Sequence, residues 1–216
     1  MLKQVAAIVF FCVMLAAQGA TPERKVESNV ITSERDPAVR VQVPNSARYV
    51  GADRWVLSGL ADCELHAFVD ADPKKGVQRL YWVQFEGYLP TRPELQYKYD
   101  SPRRANLGGL EFYVDAWIRT KDAAMRSGSD AEHIAALVGR QGYHLPDGMM
   151  YVRLVHLLDE QKRKELMIIY GEDVRRSGLT AVELQPGGNA HDRWPAVEDS
   201  LLQRAEQRVA IEQTRP

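Results

Sequence analysis

Five side chains in one stretch of the chain carry groups that can do chemistry. Glu64 and His66 are two apart, and Trp82, Gln84 and Glu86 are each two apart. On an extended backbone, residues two apart share a face. Between the two groups lies Asp72-Pro73-Lys74-Lys75-Gly76, a turn with Pro early and Gly at its end. A Lys74-Lys75-Gly76 loop with Gly76 left-handed sets Pro73 opposite Val77. Glu64 then faces Glu86, His66 faces Gln84, and Phe68 faces Trp82. Side chains directly opposite stand about 4.5–5.5 Å apart at Cβ. Two carboxylates that close cannot both ionise cheaply, so one is expected to act as an acid. Glu64, His66 and Glu86 also suit a divalent metal and a hydrolase. A four-residue loop starting at Pro73 would instead put Cys63 opposite Glu86 and break the cluster. An ordinary solvated sheet face uses the same residue types, and no second histidine lies near in sequence, so no metal and no cofactor are assigned.

A second group points to a ligand wall. Tyr113, Asp115 and Trp117 alternate along one stretch, and aromatic rings with a few placed polar groups line small-molecule sites. A half-buried sheet face prefers the same residues. Arg153 is the one charge inside a mostly apolar segment and needs a partner, with Glu172 or a sheet-face Glu expected. It could also receive an anionic ligand. The ligand-binding set is therefore Glu64, His66, Trp82, Gln84, Glu86, Tyr113, Asp115, Trp117 and Arg153. The remaining histidines read as structural: His133 on a helix surface, His144 and His191 in loops, His156 in the core. The chain has no Gly-x-Ser-x-Gly, no His-Glu-x-x-His, no phosphate-binding glycine loop and no cysteine pair for zinc. Cys63 falls in an apolar alternation and reads as a buried thiol.

These residues need a sheet to hold them. Cys63 to Asp70 alternates, and Val77 to Tyr88 is rich in aromatic and β-branched residues, so the two make a hairpin. Glu94 to Asp100 reads as a third strand. Leu110 to Arg119 reads as a fourth, although helical spacing also fits it. Met149 to Leu158 and Glu165 to Gly171 flank a charged bend and make another hairpin. Apolar residues fall on both of its faces, with Val152, Leu154 and Ile169 on one and Val155, Ile168 and Tyr170 on the other, which predicts a central position. Ser129-Asp130-Ala131-Glu132 reads as a capping box opening a helix over about 130–141, with Ile134, Leu137 and Val138 buried and Gly142 as its left-handed stop. A C-terminal helix over about 195–212 opens at Pro195 with a stripe of Val197, Leu201, Ala205 and Val209. It is narrow and charged, which predicts weak packing or service to a partner.

The fold class expected is α+β, with a mostly antiparallel sheet of about six strands covered by the helix. Residues 1–20 have the layout of a signal peptide: Lys3, the apolar run Val5 to Ala17, then the small residues Ala17, Gly19 and Ala20. The run is about 13 residues, short of the ~20 a membrane span needs. Residues 21–45 read as a polar tether ending in one short edge strand around Val39 to Val43, 46–185 as the single α+β domain, and 186–216 as a loop and the C-terminal helix. Export to a periplasm or the extracellular medium follows from the leader. Cleavage leaves Cys63 alone, so no internal disulfide can form and the fold rests on its core. A formal net charge of -1 offers no basic excess for nucleic acid. The function expected is a non-catalytic module that binds a small molecule or an envelope partner on an aromatic-carboxylate sheet face. The alternatives are a carboxylate- or metal-dependent hydrolase using Glu64, His66 and Glu86, and an assembly protein working through its C-terminal helix.

Overall fold

The structure, a computed structural model, describes residues 20–214. The proposed leader lies outside the described residues except for Ala20. The protein is α+β, with eleven strands among the described residues, in two antiparallel sheets. The smaller sheet has the order β1-β2-β3-β11, built from Lys25–Glu27, Val30–Glu34, Ala38–Gln42 and Ala210–Gln213. The larger has the order β4-β5-β6-β10-β9-β8-β7. Its strands are β4 (Arg48–Leu57), β5 (Ala61–Ala71), β6 (Val77–Tyr88), β7 (Arg103–Leu107), β8 (Leu110–Thr120), β9 (Gly148–Leu157) and β10 (Lys164–Asp173). Helix α1 (Asp130–Arg140) connects β8 to β9, α2 (Ala181–Leu184) is one turn, and α3 (Trp194–Arg208) precedes β11. Among the described residues, no helix is long and apolar enough to cross a membrane.

The large sheet buries both faces. One packs on the small sheet and α3: Phe68, Tyr81, Val83, Phe112, Leu154, Ile168 and Tyr170 meet Ile31, Val39, Val41, Leu201 and Ala205. The other packs under α1: Leu65, Ala67, Val69, Leu80, Trp82, Met167 and Ile169 meet Ile134, Leu137 and Val138. The β9–β10 hairpin lies centrally, as its two apolar faces predict. Ile168 pairs with Leu154 and Ile169 with Arg153. Val152, Leu154, Ile168 and Tyr170 thus share one face, and Ile169 belongs with Val155, which corrects the expected grouping.

Several elements differ from the sequence reading. Residues 21–45 are not a tether: they supply β1 to β3, and β3 pairs on both sides instead of lying at an edge. Glu94 to Asp100 forms no strand, although Tyr97 is buried there. Leu110 to Arg119 is a strand, as the unbroken alternation predicts. Helix α1 and its buried stripe match, and Gly142 is left-handed at φ 75°. The cap differs: the Ser129 side chain makes no capping bond, and the Glu132 carboxylate accepts from the Gly128 N–H at 2.7 Å. The C-terminal helix stops at Arg208, and Ala210–Gln213 pairs with β3.

The β5–β6 register decides which groups meet. Asp72 Oδ1 accepts from the N–H of Lys74 at 2.8 Å and of Gly76 at 2.9 Å, while the Lys75 N–H closes on the Asp72 carbonyl at 2.9 Å. The left-handed residue is therefore Lys75, at φ 64°. Gly76 serves close approach, since a Cβ there would sit 2.9 Å from the Asp72 carboxylate. An irregularity follows: Ala71 pairs with Val77 but Asp70 with Arg79, so Gln78 is an extra residue in β6. Beyond it Cys63 faces Glu86, Leu65 faces Gln84 and Ala67 faces Trp82. The expected pairing of Glu64 with Glu86 and His66 with Gln84 is overturned, because a one-residue slip moves each side chain to the other face.

Candidate functional site

Seven of the nine residues expected to bind a ligand nevertheless share the α1 face. Cross-strand partners lie in rows. Ala67, Trp82, Ile169, Arg153 and Asp115 form one. Leu65, Gln84, Met167, Val155 and Tyr113 form the next, and Cys63, Glu86, Glu165 and Leu157 the one beyond. On the opposite side of the first row, Leu80, Gly171, Tyr151 and Trp117 complete the floor. A Cβ on Gly171 would meet Tyr151 Cε1 at 2.8 Å, so glycine lets the Tyr151 ring lie across β10. That ring stacks on Trp117 with centroids 5.3 Å apart.

Along β6 the polar groups are chained. Trp82 Nε1 donates to Gln84 Oε1 at 2.9 Å, and Gln84 Nε2 donates to Glu86 Oε2 at 2.8 Å. Tyr97 donates to Glu86 Oε1 and Tyr99 to Glu165 Oε2, each at 2.8 Å. The segment 94–100 thus supplies two hydroxyls that hold buried carboxylates. Burial and then the charge of Glu86 push Glu165 up to about 8. Burial, with Asp130 nearby, raises Glu86, and burial raises Asp130. Arg153 does not meet Glu172 but donates to Asp115 Oδ2 at 2.8 Å, correcting the expected pairing. Its guanidinium lies 5.3 Å from the Tyr99 ring centroid and 5.9 Å from that of Trp117.

Between α1 and this floor runs a cleft of about 380 Å³. Trp82, Trp117, Met149, Tyr151, Met167 and Ile169 form its base, and Ala131, Ile134 and Ala135 of α1 its roof. Ser129, Asp130 and Arg153 also line it. Ser129 Oγ, Asp130 Oδ1 and Arg153 Nε are buried without a hydrogen-bond partner among the described residues. Such groups are uncommon in a finished core and point to a missing partner. Of the nine residues expected from the sequence, Trp82, Trp117 and Arg153 line the cleft. Sequence reasoning missed Met149, Tyr151, Met167 and Ile169 of its base, and Ser129 and Asp130, which it assigned to helix capping alone.

Glu64 and His66 sit on the other face and make a structural network. The Glu64 carboxylate accepts from the N–H groups of Glu23 at 2.8 Å and Arg24 at 2.7 Å and from Arg24 Nη1 at 3.1 Å, with His66 Nε2 at 2.9 Å. Tyr49 Oη and His66 Nδ1 are 3.1 Å apart. Burial opposes the Glu64 charge, but His66, those backbone donors and the Arg24 charge bring its pKa to about 2. The Glu64 and His66 side chains leave the sheet on the face opposite that of Glu86, so the expected cluster of three is not formed. The His133 ring is not a simple surface group either, since it stacks on Trp55 with centroids 4.0 Å apart and meets Asp53 at 2.9 Å.

Among the described residues, Cys63, Glu86 and Asp130 come nearest to a metal-ligand set, with one donor atom from each within 4.8 Å of the others. It is a poor fit. Both Glu86 oxygens already accept hydrogen bonds, and burial raises the Cys63 thiol, whereas a metal needs the thiolate. No protein-family model, no curated protein and no solved structure matches the chain.

Proposed function

We propose that the protein is an exported, non-catalytic binding module that holds a small molecule in the cleft between α1 and the seven-stranded sheet. The carrying observation is the union of aromatic walls with three buried polar atoms that lack partners, all on residues lining one cavity. Its volume falls in the range of about 300–1,000 Å³ usual for small-molecule sites. The non-catalytic reading is supported by the places of Glu86 and Glu165, which are held by Tyr97 and Tyr99 and do not line the cleft. Asp130 does line it, with no histidine and no second carboxylate among the lining residues to work with it. Export rests on the leader-like residues 1–20.

Native mass spectrometry of the protein purified from its exported location tests this reading. A small molecule retained by the wild-type chain is expected, and Ala135→Phe, which fills the cleft from α1, should release it with the folded circular-dichroism spectrum kept. Retention by the folded variant, or a wild-type chain that carries nothing and captures nothing from a metabolite mixture, refutes the proposal.

A further inference from the structure

Resting on that reading, we infer that the cleft takes a single-chain amphiphile with an anionic end, its apolar body over Trp117, Tyr151 and Met149 and its charge beside Arg119 and Lys121. Arg119 faces Met149 across β8 and β9, and Asp115 faces Arg153. Same-face positions along a strand recur every ~6.6 Å, so Arg119 and Asp115 are about 13 Å apart. Trp117 and Tyr151 fill the interval, and Ile134, Leu145 and Pro146 cover it. This is an elongated apolar trough with a cationic end. Met125, Met149 and Met167 also line it, and their unbranched side chains adapt to an alkyl chain.

The charge of the ligand follows from what faces those cations. Arg119 makes no ion pair among the described residues; its Nη2 donates to the carbonyls of Ala123 and Ala124 at 3.1 and 3.2 Å. Lys121 Nζ lies 3.9 Å from Asp147, with both side chains largely in water, where such a pair is weak. Asp115 closes on Arg153, and Asp130, the one acid lining the cleft, makes no ion pair with Arg119 or Lys121 among the described residues. An anionic end group therefore meets positive potential that no acid of the cleft neutralises, and a cationic one meets repulsion.

Isothermal titration of the full chain with laurate, dodecyltrimethylammonium and dodecanol, each below its micelle concentration and in low salt, tests the inference. Laurate should bind about tenfold more tightly than the trimethylammonium chain. Lys121→Glu, at an exposed position, should weaken laurate about three- to fivefold and narrow that gap. Equal or tighter binding of the cationic chain refutes the anionic end while leaving a small-molecule cleft intact. If none of the three binds but native mass spectrometry shows a retained molecule, the ligand class is wrong and the cleft reading stands. If none binds and no retained molecule is found, both fall.

Discussion

Glu64 and Glu165 are both buried carboxylates of the large sheet, 1% and 2% exposed, and their surroundings drive them apart. Glu64 has two backbone N–H groups, Arg24 and His66 around it, and is held at about 2. Glu165 has the hydroxyl of Tyr99 and faces Glu86, and rises to about 8. The signs of linkage are opposite. Glu64 lies below its ordinary value of 4.5, so its stabilisation is present above that pH and is lost as pH falls through about 2. Glu165 lies above its ordinary value, so the folded state binds its proton more tightly; that stability is present below 4.5 and is lost as pH rises through about 8. Glu165→Gln keeps an acceptor for Tyr99 and removes the titration. Urea unfolding from pH 5 to pH 8 should show the wild type losing about 2–4 kcal/mol that the variant does not lose. Parallel curves for the two proteins would show that Glu165 ionises normally. The nearness of Glu64 to His66 was legible in their spacing, but the setting of Glu165 was not, because Tyr99 donates from a segment 66 residues away.

At the scale of elements, the hairpins and α1 were legible from alternation, turn residues and helical spacing, and the β5–β6 register was not. Reading Gly76 as the left-handed residue is reasonable for glycine, but the Asp72 carboxylate takes two amide donors and uses the missing side chain as space. The extra Gln78 then sets the pairing, and a bulge leaves no clear trace in composition. Trp82, Gln84, Glu86, Tyr113, Asp115, Trp117 and Arg153 still share one face, because each group alternates within its own strand and adjacent strands keep facing residues on one side, and Trp82, Trp117 and Arg153 of them line the cleft. Gly171 is the element-scale position on which the cleft floor depends. Gly171→Ala places a methyl against Tyr151 and the end of Met149. The methionine can yield, but the tyrosine ring is stacked on Trp117 and must tilt. A loss of about 1–3 kcal/mol is expected, with a changed near-ultraviolet spectrum from Trp117 and Tyr151. An unchanged spectrum and stability would mean that the floor repacks freely, and would weaken the case for a pre-formed site.

The whole molecule is two cores sharing one sheet, and the sequence hid this because the second layer comes from both chain ends. Ile31, Ser33, Val39, Val41 and Val43 are buried while Glu34, Arg40 and Gln42 are exposed, so the segment reads as polar although one side is core. Its partner β11 lies at the far end of the chain, a pairing that no local pattern announces. The same logic corrects the loose C-terminal helix. Leu201 and Ala205 of α3 are 0% and 1% exposed, Arg204 donates to Glu172 at 3.1 Å, and Arg103 donates to Glu198 at 2.6 Å. A narrow apolar stripe suffices here because the helix is seated in the inter-sheet core and its charges find fixed partners. If α3 is structural, Leu201→Ala should cost about 2–5 kcal/mol, and a chain ending before Gly187 should lose its cooperative thermal transition. If it instead served assembly, the shortened chain would keep that transition and change only its oligomeric state by gel filtration. The cleft lies across the sheet from this helix. A Leu201→Ala protein kept below its own melting temperature should therefore bind the same ligand with unchanged affinity, which separates the core that holds the molecule together from the face that meets a ligand.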